Sequence, residues 1–345
     1  MDINRKIGQM LLFGFRGLNI QQCQDIAEYI SNGRLGGVIL FDRDLASGSD
    51  YRNIESHEQV KKLNSELQSI AAIPLFIGID QEGGKVQRLN PSKGFESVPS
   101  AAEIGQVNDS EFTAKTYSKL ANDLNNLGFN MNFAPVADIN LNPKNPIIGQ
   151  KGRSYSVFPE DTVHHCSIFI NELREKNIIS VIKHFPGHGS STADSHLGFV
   201  DVTNVWQSQE LTPFRMLNQY GYAEAIMTAH IFNSNFDSIY PATLSKTWLT
   251  DILKSDLNYD GVIISDDMQM RAISSQYTDS EAIELAINAG VDILIYGNNL
   301  EYDADLPKKT TDTILKLLEQ GKITEERIDS SYNKIINLKQ KYLNH

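Results

Sequence analysis

The sequence predicts an α/β chain folded as a single-domain (β/α)8 barrel, the TIM-barrel architecture. Three observations predict it. Eight short aliphatic or β-branched runs recur along nearly the whole chain, and helical patterns lie between most of them. Most of the runs are near-continuously apolar rather than alternating, as strands covered on both faces are. No GxGxxG follows an early strand, which disfavours the alternative of an open, doubly wound sheet.

The runs, in order, are QMLLFGF (9–15), GGVILF (36–41), PLFIGID (74–80) and NMNFAPVAD (130–138). ISVIKHF (179–185), EAIMTAH (224–230), GVIISDD (261–267) and DILIYG (292–297) complete the eight. Helices are predicted over 20–30, where Cys23, Ile26, Ala27 and Ile30 share a face, over 53–71, and over 111–128, closed by Gly128. Further helices are predicted over 209–221, 245–257 and 279–290, the last capped by Asp279 or Ser280. Two terminal helices follow from about 306. No Pro/Gly/Ser-rich linker divides the chain, so residues 1–345 are expected to form one domain.

Hydrophobic residues make up 41% of the 345, enough to fill a large core. The formal charge of −12 argues against nucleic acid or an anionic membrane as partner. Two distant cysteines, Cys23 and Cys166, provide neither a disulfide framework nor a CxxC metal site. The apolar run MLLFGF (10–15) is too short for a signal peptide, Arg16 closes it, and no small-x-small cleavage site follows. No stretch approaches the roughly 18 apolar residues of a membrane span. A soluble cytoplasmic protein is therefore expected.

A barrel carries its chemistry at the C-terminal ends of its strands. Here candidate strands end in Asp80, Asp138, Lys183-His184, His230 and Asp266-Asp267. One strand stopping at a charge has merely reached solvent; five such ends point to a polar pocket at one mouth. The richest segment, 183–196, holds three of the eight histidines together with Pro186, Gly187 and Gly189. Pro and Gly make it a loop leaving the fifth strand, and few apolar anchors predict that the stretch from about Pro186 to Phe199 is mobile without ligand. Asp194 and His196 stand two apart, so in extended chain they share a face. A carboxylate beside an imidazole raises its pKa and fixes its tautomer, which suits an acid/base near neutral pH. His184, His188, Asp194, His196 and His230 would also allow a zinc-dependent hydrolase. The familiar zinc barrels carry an HxH pair on strand one, which has no histidine here, so no metal and no cofactor are expected.

KHFPGHG…ADSH (183–196), GIDQEGGKVQRL (78–89), GRSY (152–155), MTAHI (227–231), PATLS (241–245) and DGVIISDDMQM (260–270) stand in one order. Together they resemble glycoside hydrolase family 3, specifically its single-domain bacterial β-N-acetylglucosaminidases. The resemblance runs from about Ile7 into the terminal helices. It implies a retaining enzyme that removes terminal, non-reducing β-linked N-acetylglucosamine, in the cytoplasm from muropeptides during peptidoglycan recycling. Residue type alone leaves Asp266 and Asp267 equivalent; the resemblance singles out Asp266 as the nucleophile. It implies that Asp194 and His196 form a dyad with histidine as acid/base, and that Asp80, Arg88, Arg153, Lys183 and His184 hold the sugar's hydroxyls. Lys183 and the arginines are expected to keep Asp266 ionised. His188 and His230 are left between packing and function. Phosphorolysis by the same site is a competing expectation, because a histidine acid/base does not repel phosphate.

Overall fold

A computed structural model describes residues 2–343. Eight parallel strands close a barrel: β1 (Leu11–Gly14), β2 (Gly37–Leu40), β3 (Phe76–Ile79), β4 (Met131–Asn132), β5 (Ile179–Phe185), β6 (Ala225–Thr228), β7 (Val262–Asp267) and β8 (Ile293–Tyr296). Each strand pairs with the next, and β1 pairs with β8 through Leu11↔Leu294, Leu12↔Ile295 and Phe13↔Tyr296. Each of the eight predicted runs contains one of these strands. Their side chains are almost all buried because helices cover the outside and the barrel packs its own interior.

Differences from the expected elements have local causes. The first run starts in a helix, Ile3–Gln9, opened by the Asp2 side chain, which accepts the Asn4 N–H. Gln9 is polar but fully buried, and its amide donates to Gly33 O and Leu35 O beneath the barrel. A helix not predicted from the sequence, Pro159–Arg174, joins β4 to β5. Proline in its first turn and buried Val163, Cys166, Phe169, Ile170 and Leu173 give it an ordinary amphipathic pattern. The helix Asp279–Ala289 is capped not by Asp279 or Ser280 but by Thr278, in a capping box with Glu281. β4 is only two residues long, so Asp138 lies beyond it rather than in it.

The terminal helices Leu306–Glu319 and Glu325–Leu343 return to the N-terminal end of the barrel. There Lys339 is buried, its Nζ donating to Gln9 Oε1 at 2.6 Å and Gly36 O at 2.8 Å, over the Phe76 ring. Among the described residues no helix is long and apolar enough to cross a membrane.

Candidate active site

The strand ends surround a cavity of about 290 Å³ at the C-terminal mouth. Every site residue predicted from the sequence except Asp194 lines it, and Asp194 reaches it through His196.

Its floor is an ion-pair network. Asp80 follows β3 directly, and the short hairpin of Gln81–Gly83 with Val86–Gln87 then presents Glu82 and Arg88. Lys183 on β5 reaches Asp80 Oδ1 at 2.9 Å and Glu82 Oε1 at 2.7 Å. Arg153 grips Glu82 with two bonds, Nε–Oε2 at 2.8 Å and Nη2–Oε1 at 2.7 Å. Arg88 bridges Asp80 at 3.4 Å and Asp42 at 3.7 Å. Burial penalises these carboxylates, but Lys183 and Arg88 hold Asp80 below the usual range, and Arg153 and Lys183 bring Glu82 to about 2. Glu82 lies within a quoted motif, yet its role was invisible until the fold set it between two cations.

His184 is oriented from beneath. Its Nδ1 donates to Asp138 Oδ2 at 2.7 Å, leaving Nε2 to accept from Arg153 Nη2 at 3.3 Å. Asp138, fully buried, also accepts the His188 N–H at 2.8 Å, so one carboxylate sets a pocket residue and the base of the following loop. Asp138→Ala should cost about 2–4 kcal/mol of stability by leaving these donors unpaired in the interior. Urea unfolding checks it, and a loss below about 0.5 kcal/mol would show that the hub is dispensable.

The 186–199 loop is tied down by polar contacts where apolar anchors are few. Glu210 Oε2 accepts the N–H groups of Gly189 (2.9 Å) and Ser190 (3.2 Å), while its Oε1 accepts that of Gln207 (3.3 Å). Gly187 has φ +111°, and a Cβ there would come within 2.5 Å of Glu210 Cβ, so glycine lets the loop settle onto this residue. His188 is buried between Ser191 Oγ and Ser195 Oγ, and burial lowers its pKa to about 4, so it is neutral packing within the loop. Beyond Ser195 the chain opens to solvent: His196, Leu197 and Phe199 are exposed.

Burial raises the Glu210 carboxyl to about 7. Its folded pKa exceeds its unfolded one, so its contribution to stability is full below about pH 4.5 and is lost as pH rises through 7. Glu210→Gln should abolish that dependence, on the order of 3 kcal/mol across the window. Thermal midpoints of both proteins between pH 4.5 and 8 check this; parallel curves would refute it.

On the opposite wall, β7 ends in the acid pair, and the two residues are no longer equivalent. Asp267 turns its Oδ1 onto the N–H groups of Gln269 and Gly297, each at 3.0 Å. Gly297 leaves room for that carboxylate, which a Cβ would strike. Burial raises Asp267 to about 6. Asp266, which lines the cavity beside it, has no such loop donors, and its Oδ1 accepts the Asp267 N–H at 2.8 Å. Burial opposes its charge, but His230, His184 and His196 and that N–H hold its carboxyl below the ordinary aspartate value. Burial pushes His230 itself toward neutrality, so its share is that of a dipole, and its Nε2 donates to Asp267 O at 3.0 Å. The expectation that Lys183 and the arginines keep Asp266 ionised is therefore corrected: those charges are committed to Asp80 and Glu82, and imidazoles surround Asp266.

Asp194 Oδ1 accepts from His196 Nδ1 at 2.8 Å and from His196 N at 2.9 Å. Partial burial opposes the Asp194 charge, but these bonds and nearby Lys151 keep its carboxyl below the usual value. His196 thus faces the cavity from an outer loop with its tautomer set by Asp194. Among the described residues no group of three or more His, Cys, Asp or Glu could hold a metal ion.

The fold and cleft define a (β/α)8-barrel protein with its polar chemistry gathered at the C-terminal mouth. The chain belongs to glycosyl hydrolase family 3, whose N-terminal domain matches residues 2–338. It is 33% identical to beta-hexosaminidase A of Pseudoalteromonas piscicida over 92% of its length, but spans only 55% of that protein. It is 32% identical to the beta-hexosaminidase of Haemophilus influenzae, covering 92% of this chain and 84% of the relative. A solved family 3 beta-N-acetylglucosaminidase from Paenibacillus sp. superposes with a TM-score of 0.89 at 35% identity, covering 99% of this chain and 63% of that one.

Proposed function

We propose that this chain hydrolyses terminal β-linked N-acetylglucosamine with retention of configuration. The carrying observation is that Asp266, held ionised on a rigid strand end, and His196, held by Asp194, open onto one cavity. In this reading Asp266 attacks the anomeric carbon while His196 protonates the departing oxygen. His196 then takes a proton from the water that releases the sugar. Asp80, Arg88, Arg153, Lys183 and His184 bind the sugar hydroxyls, the paired charges fixing their positions before substrate arrives. The similarity to named beta-hexosaminidases supports the sugar assignment. A cytoplasmic role on anhydro-N-acetylmuramic acid muropeptides is the setting proposed for it.

Aryl β-glycosides of N-acetylglucosamine, glucose and N-acetylgalactosamine, followed by proton NMR of the first-formed anomer, test the reading. Preference for N-acetylglucosamine with β product is expected. Preference for glucoside would overturn the sugar assignment, and α product would overturn retention.

A further inference from the structure

Of the six lysines and arginines lining the cavity, four are engaged by carboxylates: Arg43 by Asp42, Arg88 by Asp42 and Asp80, Arg153 by Glu82, and Lys183 by both Asp80 and Glu82. Lys85 and Lys151 are the remaining two, and among the described residues neither has a carboxylate within ion-pair distance. Lys85 sits at the tip of the hairpin after β3 and donates to Gln150 O at 3.1 Å, which places it beside Lys151. Lys151 in turn lies close enough to Asp194 to favour its charge. Two unpaired cations, in a chain of net charge −12, therefore share one side of the mouth with the Asp194–His196 pair. Like charges held close together at a pocket rim repel each other, and an anion arriving there relieves that repulsion.

We infer that Lys85 and Lys151 form an anion subsite on the leaving-group side of the cavity. The inference rests on the proposed role of His196: the residue that protonates the departing oxygen marks where the leaving group lies. An anion at that position has two sources of the same chemistry. It is either a carboxylate carried by the leaving group, or free phosphate that displaces the sugar from Asp266. In the second case a phosphate oxygen attacks the anomeric carbon, the bond to the Asp266 carboxylate breaks, and the sugar leaves as its 1-phosphate with Asp266 regenerated as carboxylate.

The experiment compares the wild type, the double variant Lys85→Gln/Lys151→Gln and the double variant Lys85→Arg/Lys151→Arg. Each is assayed on a neutral nitrophenyl and a carboxynitrophenyl N-acetyl-β-glucosaminide, at low and high salt. The neutral substrate is also run with inorganic phosphate against chloride of equal ionic strength, with the sugar products identified. For a carboxylate partner, the charged-to-neutral ratio of kcat/KM should fall about tenfold in the glutamine variant, persist in the arginine variant and shrink with salt in the wild type. For phosphate, the wild type should release sugar 1-phosphate and the glutamine variant should not. A ratio that ignores the lysines, with no lysine-dependent sugar phosphate, overturns the subsite while leaving the hydrolase reading intact. Failure of the wild type to cleave either glycoside overturns that reading and the subsite with it.

Discussion

Asp266→Ala should lower kcat/KM by roughly 10⁴–10⁶-fold on every glycoside, however good its leaving group. The size follows from geometry. Without Asp266 the remaining carboxylate at the end of β7 is Asp267, whose Oδ1 is held by the Gln269 and Gly297 N–H groups and whose carboxyl burial raises to about 6. Although it also lines the cavity, two backbone donors already hold that oxygen and burial favours its protonated form, so it is a poor replacement. Asp267→Ala should instead act through structure, releasing the turn after β7 from the loop after β8 and lowering the thermal midpoint. The measurement is steady-state kinetics on one activated and one natural substrate, with circular dichroism to confirm folding. Asp266→Ala retaining activity within 100-fold on the activated substrate would remove Asp266 from the nucleophile's role. So would the greater loss falling on a folded Asp267→Ala.

Much of the barrel was legible because burial on both faces leaves a plain mark in sequence. Runs such as ISVIKHF and GVIISDD are apolar until they reach the mouth and then turn ionic, and both β5 and β7 follow that boundary. The helix Pro159–Arg174 was missed although its apolar spacing is regular, because two histidines and three acids dilute its hydrophobicity and no side chain caps its start. The first run was read one helix-end too early, because a buried glutamine looks like a strand residue until its partners Gly33 and Leu35 are known.

In the site, what could be read locally was residue type and neighbourhood. Asp194 with His196 is a contact between residues two apart, so it was visible as a pair. The contacts that fix the pocket are of another kind. Glu82 with Arg153, Asp138 with His184, and Glu210 with Gly189 bring together residues from different loops, and no spacing encodes them. The same holds for the ionisation of Asp266. Counting nearby cations in sequence favoured Lys183, but a cation already holding two carboxylates has little field left to offer a third. Asp266 and Asp267 were indistinguishable as letters; backbone N–H groups from the turn after β7 and from the loop after β8 make them different.

His196→Ala should cost roughly 10²–10⁴-fold on natural linkages, the range of general acid catalysis, because a sugar alkoxide leaves only when protonated. A nitrophenolate leaves nearly unaided, so sugar transfer to Asp266 should suffer far less with an aryl glycoside. Turnover of that substrate should then be limited by the second step, which needs His196 as base, and the covalent intermediate should appear as a burst. Asp194→Ala should give a weaker form of the same pattern. It removes the acceptor that holds His196 Nδ1 and the backbone of the same residue, freeing the ring without deleting it. A purely structural role for the pair would slow both substrates alike, so the contrast between leaving groups carries the test. Single-turnover and steady-state kinetics of the two variants on one aryl and one disaccharide substrate would resolve it. Equal losses by His196→Ala on both in the sugar-transfer step would show that the proton comes from elsewhere.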